Sequence, residues 1–231
     1  MLILGLAGQA GSGKDTVADY LVARYSFVKF AFSDALYHEV QQAFGLEDQS
    51  LLRDRATKDT RVEELRLDMC NDAEFVDIAI RILESGDCEG HNLGPLIQKR
   101  ALSPRQILQW WGTDYRRAQD PNYWVKRAHE FVKAMHFLPP YPELRPALFV
   151  ETGTRFENER EWIKALGGNV WHIHRGSDAV LHDHASAVPL PVLPPEREIW
   201  NNGTIEELHM AVDMLLSSNV EFVKCEPMEG A

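Results

Sequence analysis

Residues 2–7 are apolar throughout, Leu2-Ile3-Leu4-Gly5-Leu6-Ala7, and run into Gly8. A short continuous run of this kind fits a parallel strand buried on both faces. The period then changes. Val17, Tyr20 and Leu21 share one face of 16–24, which predicts a helix; 27–32 returns to a strand, and 34–44 reads as a helix ending at Gly45. Ser103-Pro104 and Asp120-Pro121 are two helix starts, each a polar N-cap followed by proline. Ile107, Leu108 and Trp111 form the inner stripe of the first helix, and Val125, Ala128, Val132 and Met135 that of the second, which Pro139-Pro140 and Pro142 end. A third strand covers 147–150, a helix 158–166 stops at Gly167-Gly168, and Val170, Trp171 and Ile173 mark a fourth strand. The proline-rich 188–195 reads as a loop. Thr204-Ile205-Glu206-Glu207 is a capping box ahead of a last amphipathic helix carrying Leu208, Val212 and Leu215.

Strands alternating with helices predict an α/β fold, a parallel sheet covered on both faces. The stretch 47–100 breaks the pattern: it is rich in mixed charge and contains the loop-like Glu84-Ser85-Gly86-Asp87-Cys88-Glu89-Gly90. It reads as a mostly helical insertion or acceptor-side lid within a single domain spanning 1–231. At 231 residues the chain is long enough for one such domain.

The strongest chemical signal follows the first strand: Gly8-Gln9-Ala10-Gly11-Ser12-Gly13-Lys14-Asp15-Thr16. Strand, glycine-rich loop and helix in that order are the context of a phosphate-binding loop. Glycines let successive backbone N–H groups turn toward one anion, and the helix N-terminus adds partial positive charge. Lys14 can reach the β- and γ-phosphates of a nucleoside triphosphate, and the Thr16 hydroxyl can meet a phosphate or a metal-bound water. Asp15 stands where Ser or Thr usually follows the lysine. It either helps hold Mg²⁺ through water, orients a lysine, or is a first-turn carboxylate favoured by the helix dipole.

Phosphoryl transfer to an acceptor that is already a phosphate needs cations more than a base, because two polyanions must be brought together. Arginine suits this with its planar, always-charged fork. Arg105, Arg116, Arg117, Arg155 and Arg175 are candidates, and Arg105 and Arg117 gain weight by flanking Trp110-Trp111-Gly112-Thr113-Asp114-Tyr115. That segment offers a stacking face and polar edges to a nucleobase, or else packs in the core, where Trp111 is expected. The formal net charge of −11 argues against duplex DNA as a partner but not against a small anion held in a cleft. Three widely spaced cysteines give no disulfide or metal framework and fit a reducing cytosol. No apolar run is long enough to span a membrane, and the N-terminus reads as a core strand, not a signal peptide.

With these residues in view, the chain resembles the bacteriophage deoxynucleoside monophosphate kinase family. The resemblance rests on Gly11 to Thr16; on Ser103-Pro104-Arg105-Gln106-Ile107-Leu108-Gln109-Trp110-Trp111-Gly112-Thr113-Asp114 with Arg117 and Asp120-Pro121-Asn122-Tyr123-Trp124-Val125; on Arg155-Phe156-Glu157-Asn158-Glu159; and on His184-Ala185-Ser186 with Asn201-Asn202-Gly203-Thr204. It implies an adenylate-kinase-like, three-layer P-loop NTPase fold, ATP and Mg²⁺ as donor, and a deoxynucleotide acceptor. It places Gly11, Ser12, Gly13, Lys14, Asp15 and Thr16 on ATP, and Asp34, Arg105, Trp111, Asp114 and Arg117 on the acceptor side. Lys14, Arg105, Arg117 and Arg155 are then the residues expected to act in transfer. It also implies the cytoplasm of an infected host cell and leaves a homodimer open. Two positions depart from the family pattern: Gly153 replaces an aspartate two residues before Arg155, with Glu151 two places earlier, and Ala187 replaces a glutamate.

Two other readings keep the phosphate loop. A hydroxyl acceptor, such as a modified base, would need a general base, with Asp34 or Glu151 as candidates. A non-catalytic ATP-binding module would bind ATP without acceptor-dependent turnover. His172, His174, His182 and His184 invite zinc, but no thiolate or firm carboxylate partner is evident beside them in the sequence.

Overall fold

The computed structural model describes residues 1–86, 98–137, 148–176 and 190–218. Outside them lie Pro139-Pro140 and Pro142, the loop 87–90, His182, His184, Ala187, residues 188 and 189 of the proline-rich loop, and the segment after 218. The chain divides into two compact units: Met1–Phe32 with the described residues of Val125–Ala231, and Ser33–Trp124.

The first unit is built on five parallel strands: β1 (Leu2–Ala7), β2 (Val28–Phe30), β3 (Leu148–Thr154), β4 (Asn169–His174) and β5 (Arg197–Trp200), in spatial order β2-β3-β1-β4-β5. Every residue of β1 is buried, as its unbroken apolar run requires for the central strand. Leu2, Leu4 and Leu6 face α1 (Lys14–Tyr25) and the last helix, α8 (Ile205–Ser217), in a core shared with Val17, Leu21, Val150, Trp171, Leu208 and Val212. The other face meets α7 (Glu157–Ala165), whose Ile163 is fully buried. On that face Phe30 packs with Phe149, Trp162 and Phe131 of α6 (Tyr123–Phe137) at ring-centroid distances of 5.9–6.5 Å. Helices on both faces make the unit three-layered, as expected.

β5 was not legible in the sequence because only Ile199 of its four residues is buried, so an edge strand lacks an apolar run. Elsewhere the boundaries shift. α1 starts at Lys14, β2 is shorter than 27–32, β3 extends to Thr154, and α6 begins at Tyr123 because the Asp120 carbonyl accepts the Tyr123 N–H in a turn through Pro121. The Thr204–Glu207 capping box is formed.

The second unit opens with α2 (Asp34–Phe44), closed by Gly45 in the left-handed region as the pattern anticipated. The short helix α3 (Ser50–Arg53), two 3₁₀ turns and α4 (Ala73–Gly86) follow, so Glu84-Ser85-Gly86 is helical and not loop. α5 (Pro104–Gln109) starts with a Ser103–Gln106 capping box. It continues as a π-helical stretch, Trp110–Arg117, where a plain helix was expected. The added width lets three groups from neighbouring positions converge: the Trp111 indole N–H (2.9 Å) and Arg116 Nε (2.9 Å) donate to Glu39 Oε2, and Tyr115 donates to Asp72 (3.0 Å). Tyr123 donates to the other Glu39 oxygen at 2.6 Å.

Just before β5, Glu196 sits fully buried within 3.2 Å of Arg160, 2.9 Å of Lys164 and 2.7 Å of His172, and it accepts the Leu193 N–H. Burial pushes the Glu196 carboxyl up, but the Leu193 N–H, Lys164, His172 and Arg160 outweigh it and hold the group below its ordinary value. Arg160 is itself fully buried, so Glu196→Leu leaves its guanidinium with only the exposed Glu157 carboxylate, at 3.1 Å, as counter-charge, and strips Lys164 and His172 of their shared partner. The variant should lose about 3–5 kcal/mol in urea unfolding; a loss below 1 kcal/mol would show the cluster to be replaceable.

Candidate functional site

β1 delivers the chain to the carboxyl end of the sheet, where open α/β folds bind ligands. The loop there is held from two sides. Gly8 has φ 143°, and a Cβ on it would lie 2.3 Å from the Ile173 carbonyl oxygen of β4. Gly13 has φ 107°, and a Cβ there would lie 2.4 Å from Nδ2 of Asn201, which donates to the Ser12 carbonyl at 2.9 Å. Asn201 itself is fixed by its N–H donating to the His174 carbonyl (2.7 Å). The loop backbone thus touches the backbone of β4 directly at Gly8, and the Asn201 side chain after β5 at Ser12 and Gly13.

Lys14 curls over the loop, its Nζ donating to the carbonyls of Gly8 (2.8 Å) and Gln9 (2.7 Å). The Ser12 hydroxyl is buried and has no hydrogen-bond partner among the described residues. Gly13 gives α1 no side-chain cap, the condition in which a helix N-terminus receives an anion. The glycine cradle, the orphaned hydroxyl and the folded-back lysine fit a polyphosphate. Asp15 is exposed and lies 3.9 Å from Lys29, whose closer partner is Asp19 at 2.8 Å; Thr16 is half-buried in the first turn.

At the neighbouring end of β3, Glu151 is fully buried. Its carboxyl accepts the N–H groups of Gly153 (2.8 Å) and Phe32 (3.4 Å) and the Thr154 hydroxyl (2.6 Å). Burial, reinforced by the charge of Glu159, pushes it up to about 8. Glu159 caps the start of α7 through the N–H groups of Arg155 (2.8 Å) and Phe156 (3.1 Å), and the Arg155 side chain is exposed. A Cβ at Gly153 would meet nothing closer than Glu151 Oε1 at 3.6 Å, so no crowding demands glycine where the family carries aspartate.

The second unit holds the other anticipated residues at separate places. Arg105 grips Asp59 with Nε (2.5 Å) and Nη2 (3.1 Å). Asp34 pairs with Arg53 at 3.0 Å, and Arg117 donates to the Pro121 carbonyl at 3.4 Å. Trp111 is buried. Exposed Asp114 lines a cavity of about 400 Å³ with Glu74, Ile78, Arg81, Tyr115 and Gln119. Arg116, weighed as a phosphate ligand, is instead held against the rings of Tyr115, Tyr123 and Trp111 at 4.2–5.6 Å and bonded to Glu39. Two histidines considered for zinc have carboxylate neighbours that the sequence did not reveal: His172 meets Glu196, and His174 lies 3.1 Å from Glu198. Among the described residues no group of three or more His, Cys, Asp or Glu is placed to hold a metal. No helix among them is long and apolar enough to cross a membrane. Asn201, the clamp on the loop, stood in the sequence only as the first residue of the Asn201-Asn202-Gly203-Thr204 run, with no role assigned to it.

A glycine loop leaving the central strand of a parallel sheet, with a lysine opening the next helix, is an α/β arrangement consistent with a P-loop kinase. The comparisons narrow the class. The chain is 29% identical over 217 residues to a putative deoxynucleotide monophosphate kinase of Acanthamoeba polyphaga mimivirus, covering 92% of this chain and 94% of that one. It is 24% identical over 237 residues to the deoxynucleotide monophosphate kinase of Enterobacteria phage T4, covering 90% and 95%. The same enzyme of Escherichia phage RB69 matches at 24% over 249 residues, covering 94% and 100%. No family model matches. The resemblance read from the motifs is thereby borne out along nearly the whole chain.

The buried Glu151 makes stability pH-dependent. With its folded value raised from 4.5 to about 8, the folded state keeps a proton that the unfolded chain releases in between. Its contribution is full below about pH 4.5 and is lost as pH rises toward 8, by at most about 1.4 kcal/mol per pH unit. Urea unfolding at pH 5, 6.5 and 8 should show the native chain losing stability relative to Glu151→Gln across that range; parallel trends would contradict a raised Glu151.

Proposed function

We propose that this chain transfers the γ-phosphoryl group of ATP to a deoxynucleoside monophosphate, giving the diphosphate. The observation that carries the reading is the whole-length likeness to three kinases so named, and the loop geometry supports its donor half. Gly11, Ser12, Gly13, Lys14, Asp15 and Thr16 hold the ATP phosphates, with Lys14 exchanging its two loop carbonyls for phosphate oxygens. Asp15 or Thr16 would hold Mg²⁺ through water, and the ion would supply neutralisation of phosphate charge there. An acceptor phosphate oxygen forms the new bond to the γ-phosphorus as the bond to the β,γ-bridging oxygen breaks. Arg105, Arg117 and Arg155 stabilise the charge in flight. Asp34 and Asp114 supply polar contacts on the acceptor side. Trp111, being buried, acts there by anchoring its helix.

Residues 47–100 are read as the acceptor-side insertion of a single kinase domain. The substrates are small nucleotides. The acidic balance disfavours duplex DNA. A phage-type host cytoplasm is the compartment that fits, and a homodimer is left to direct measurement. A hydroxyl acceptor finds less support from its two candidate bases: Glu151 is fully buried with three donors already on its carboxyl, and Asp34 is paired with the Arg53 guanidinium at 3.0 Å, which already engages one of its oxygens.

ADP release from ATP and Mg²⁺ should depend on a deoxynucleoside monophosphate when a panel of deoxy- and ribonucleotides, modified pyrimidines and duplex DNA is tried. Lys14→Ala should lower kcat by about 10²-fold or more with the melting temperature retained. ATP binding without turnover on any acceptor would favour a regulatory module instead.

A further inference from the structure

The turn after β5 carries Asn202-Gly203, the only Asn-Gly pair in the chain. Glycine has no Cβ to shield its nitrogen, so that nitrogen reaches a preceding side-chain amide with the least hindrance. Asn202 is exposed and lies outside helix and strand. The Gly203 N–H has no hydrogen-bond partner among the described residues. Asn202 Oδ1 accepts the Gly176 N–H at 2.8 Å. That donor draws electron density from Cγ and stabilises the oxyanion formed when a nucleophile adds there. The amide is thus activated by the fold as well as by its neighbour in sequence.

The fold also keeps the glycine. Glu207 accepts the Thr204 N–H at 2.8 Å, and the Thr204 hydroxyl accepts the Glu207 N–H at 3.2 Å. A Cβ on Gly203 would run into Glu207 Oε2. Any side chain at 203 would break this capping box, so the residue that leaves Asn202 labile is the one the start of α8 requires.

We infer that Asn202 is a site of spontaneous covalent modification, its side-chain amide being lost to attack by the Gly203 nitrogen. The nitrogen adds to Asn202 Cγ and gives up its proton to water. The Cγ–Nδ2 bond then breaks, the departing nitrogen takes a proton, and ammonia leaves a five-membered cyclic imide. Water adds next at either imide carbonyl. Opening at Cγ leaves an aspartyl residue; opening at the main-chain carbonyl leaves an isoaspartyl residue, whose backbone runs through Cβ and Cγ. Water is the sole co-reactant, and nothing is oxidised or reduced. The isoaspartyl form adds one carbon to the chain directly after Asn201. Asn201 is held by its N–H on the His174 carbonyl (2.7 Å) and holds the Ser12 carbonyl (2.9 Å), so the added length falls on the clamp of the phosphate loop. Both products also bring a negative charge next to that clamp.

The test is ageing of the purified full chain and of Asn202→Gln in warm buffer at about pH 8, beside a peptide of residues 198–206. Residue 202 is followed by peptide mass spectrometry and an enzymatic isoaspartate assay. The native chain should gain about 1 Da and isoaspartate at 202, at least as fast as the peptide. Asn202→Gln, whose amide would have to close a six-membered ring, should gain neither. Conversion about tenfold slower in the folded chain than in the peptide, or an equal gain in Asn202→Gln, would overturn the site. The aged native chain should show a KM for ATP about threefold or more above its fresh sample, with the acceptor KM unchanged, while aged Asn202→Gln matches its own fresh sample. Equal ATP KM values in fresh and aged native chain would overturn the link to the clamp. The kinetic arm rests on the kinase reading; the mass arm does not. If the native chain turns over no monophosphate, the kinase reading fails first and titration calorimetry with ATP replaces the kinetics: weaker binding by the aged native chain sustains the link, and equal binding removes it.

Discussion

The loop after β1 depends on a contact that admits no atom beyond backbone. The Ile173 carbonyl occupies the space where a side chain on Gly8 would begin, and Asn201 does the same at Gly13. Those two approaches fix the loop to β4 and to the residue after β5, so the loop inherits the rigidity of the sheet. A flexible loop would have to be ordered by its ligand; one already clamped spends less of the binding energy on order. The lysine that follows stays close because its ammonium finds two loop carbonyls, which orient it without neutralising it.

Much of this architecture could be read from residue patterns, for a physical reason. β1, β4, α2, α7 and α8 are specified by burial or by caps that act within a few residues: the run Leu2–Ala7, Gly45, Gly167, and the Thr204–Glu207 box. β5 was missed because its single buried residue, Ile199, carries no period. The π-helical stretch was missed because what selects it is remote, namely Glu39 and Asp72 accepting from Trp111, Tyr115 and Arg116.

The site divides in the same way. The phosphate loop is local, contiguous and legible. The residues expected on the acceptor side have partners far along the chain, Arg105 on Asp59 and Asp34 on Arg53, as does Arg116 on Glu39. A list of arginines could not separate the one locked among aromatic rings from those facing solvent. Histidine spacing had the same weakness, since Glu196 and Glu198 lie more than 20 residues from the histidines they meet.

The π-helical stretch Trp110–Arg117 bears on how this sequence can change. Each helical residue turns the chain by about 100°, so a register is a rotational phase. A π-helical turn takes up one residue more than an α-helical turn, so removing one residue from 110–117 restores the ordinary pitch with the flanking phase kept, at the cost of the alignment that brings Trp111 and Arg116 to Glu39 and Tyr115 to Asp72. Residue types on the outer face of the segment are therefore free to change, while loss of one residue between Trp111 and Arg116 trades the shared grip on Glu39 for an ordinary helix.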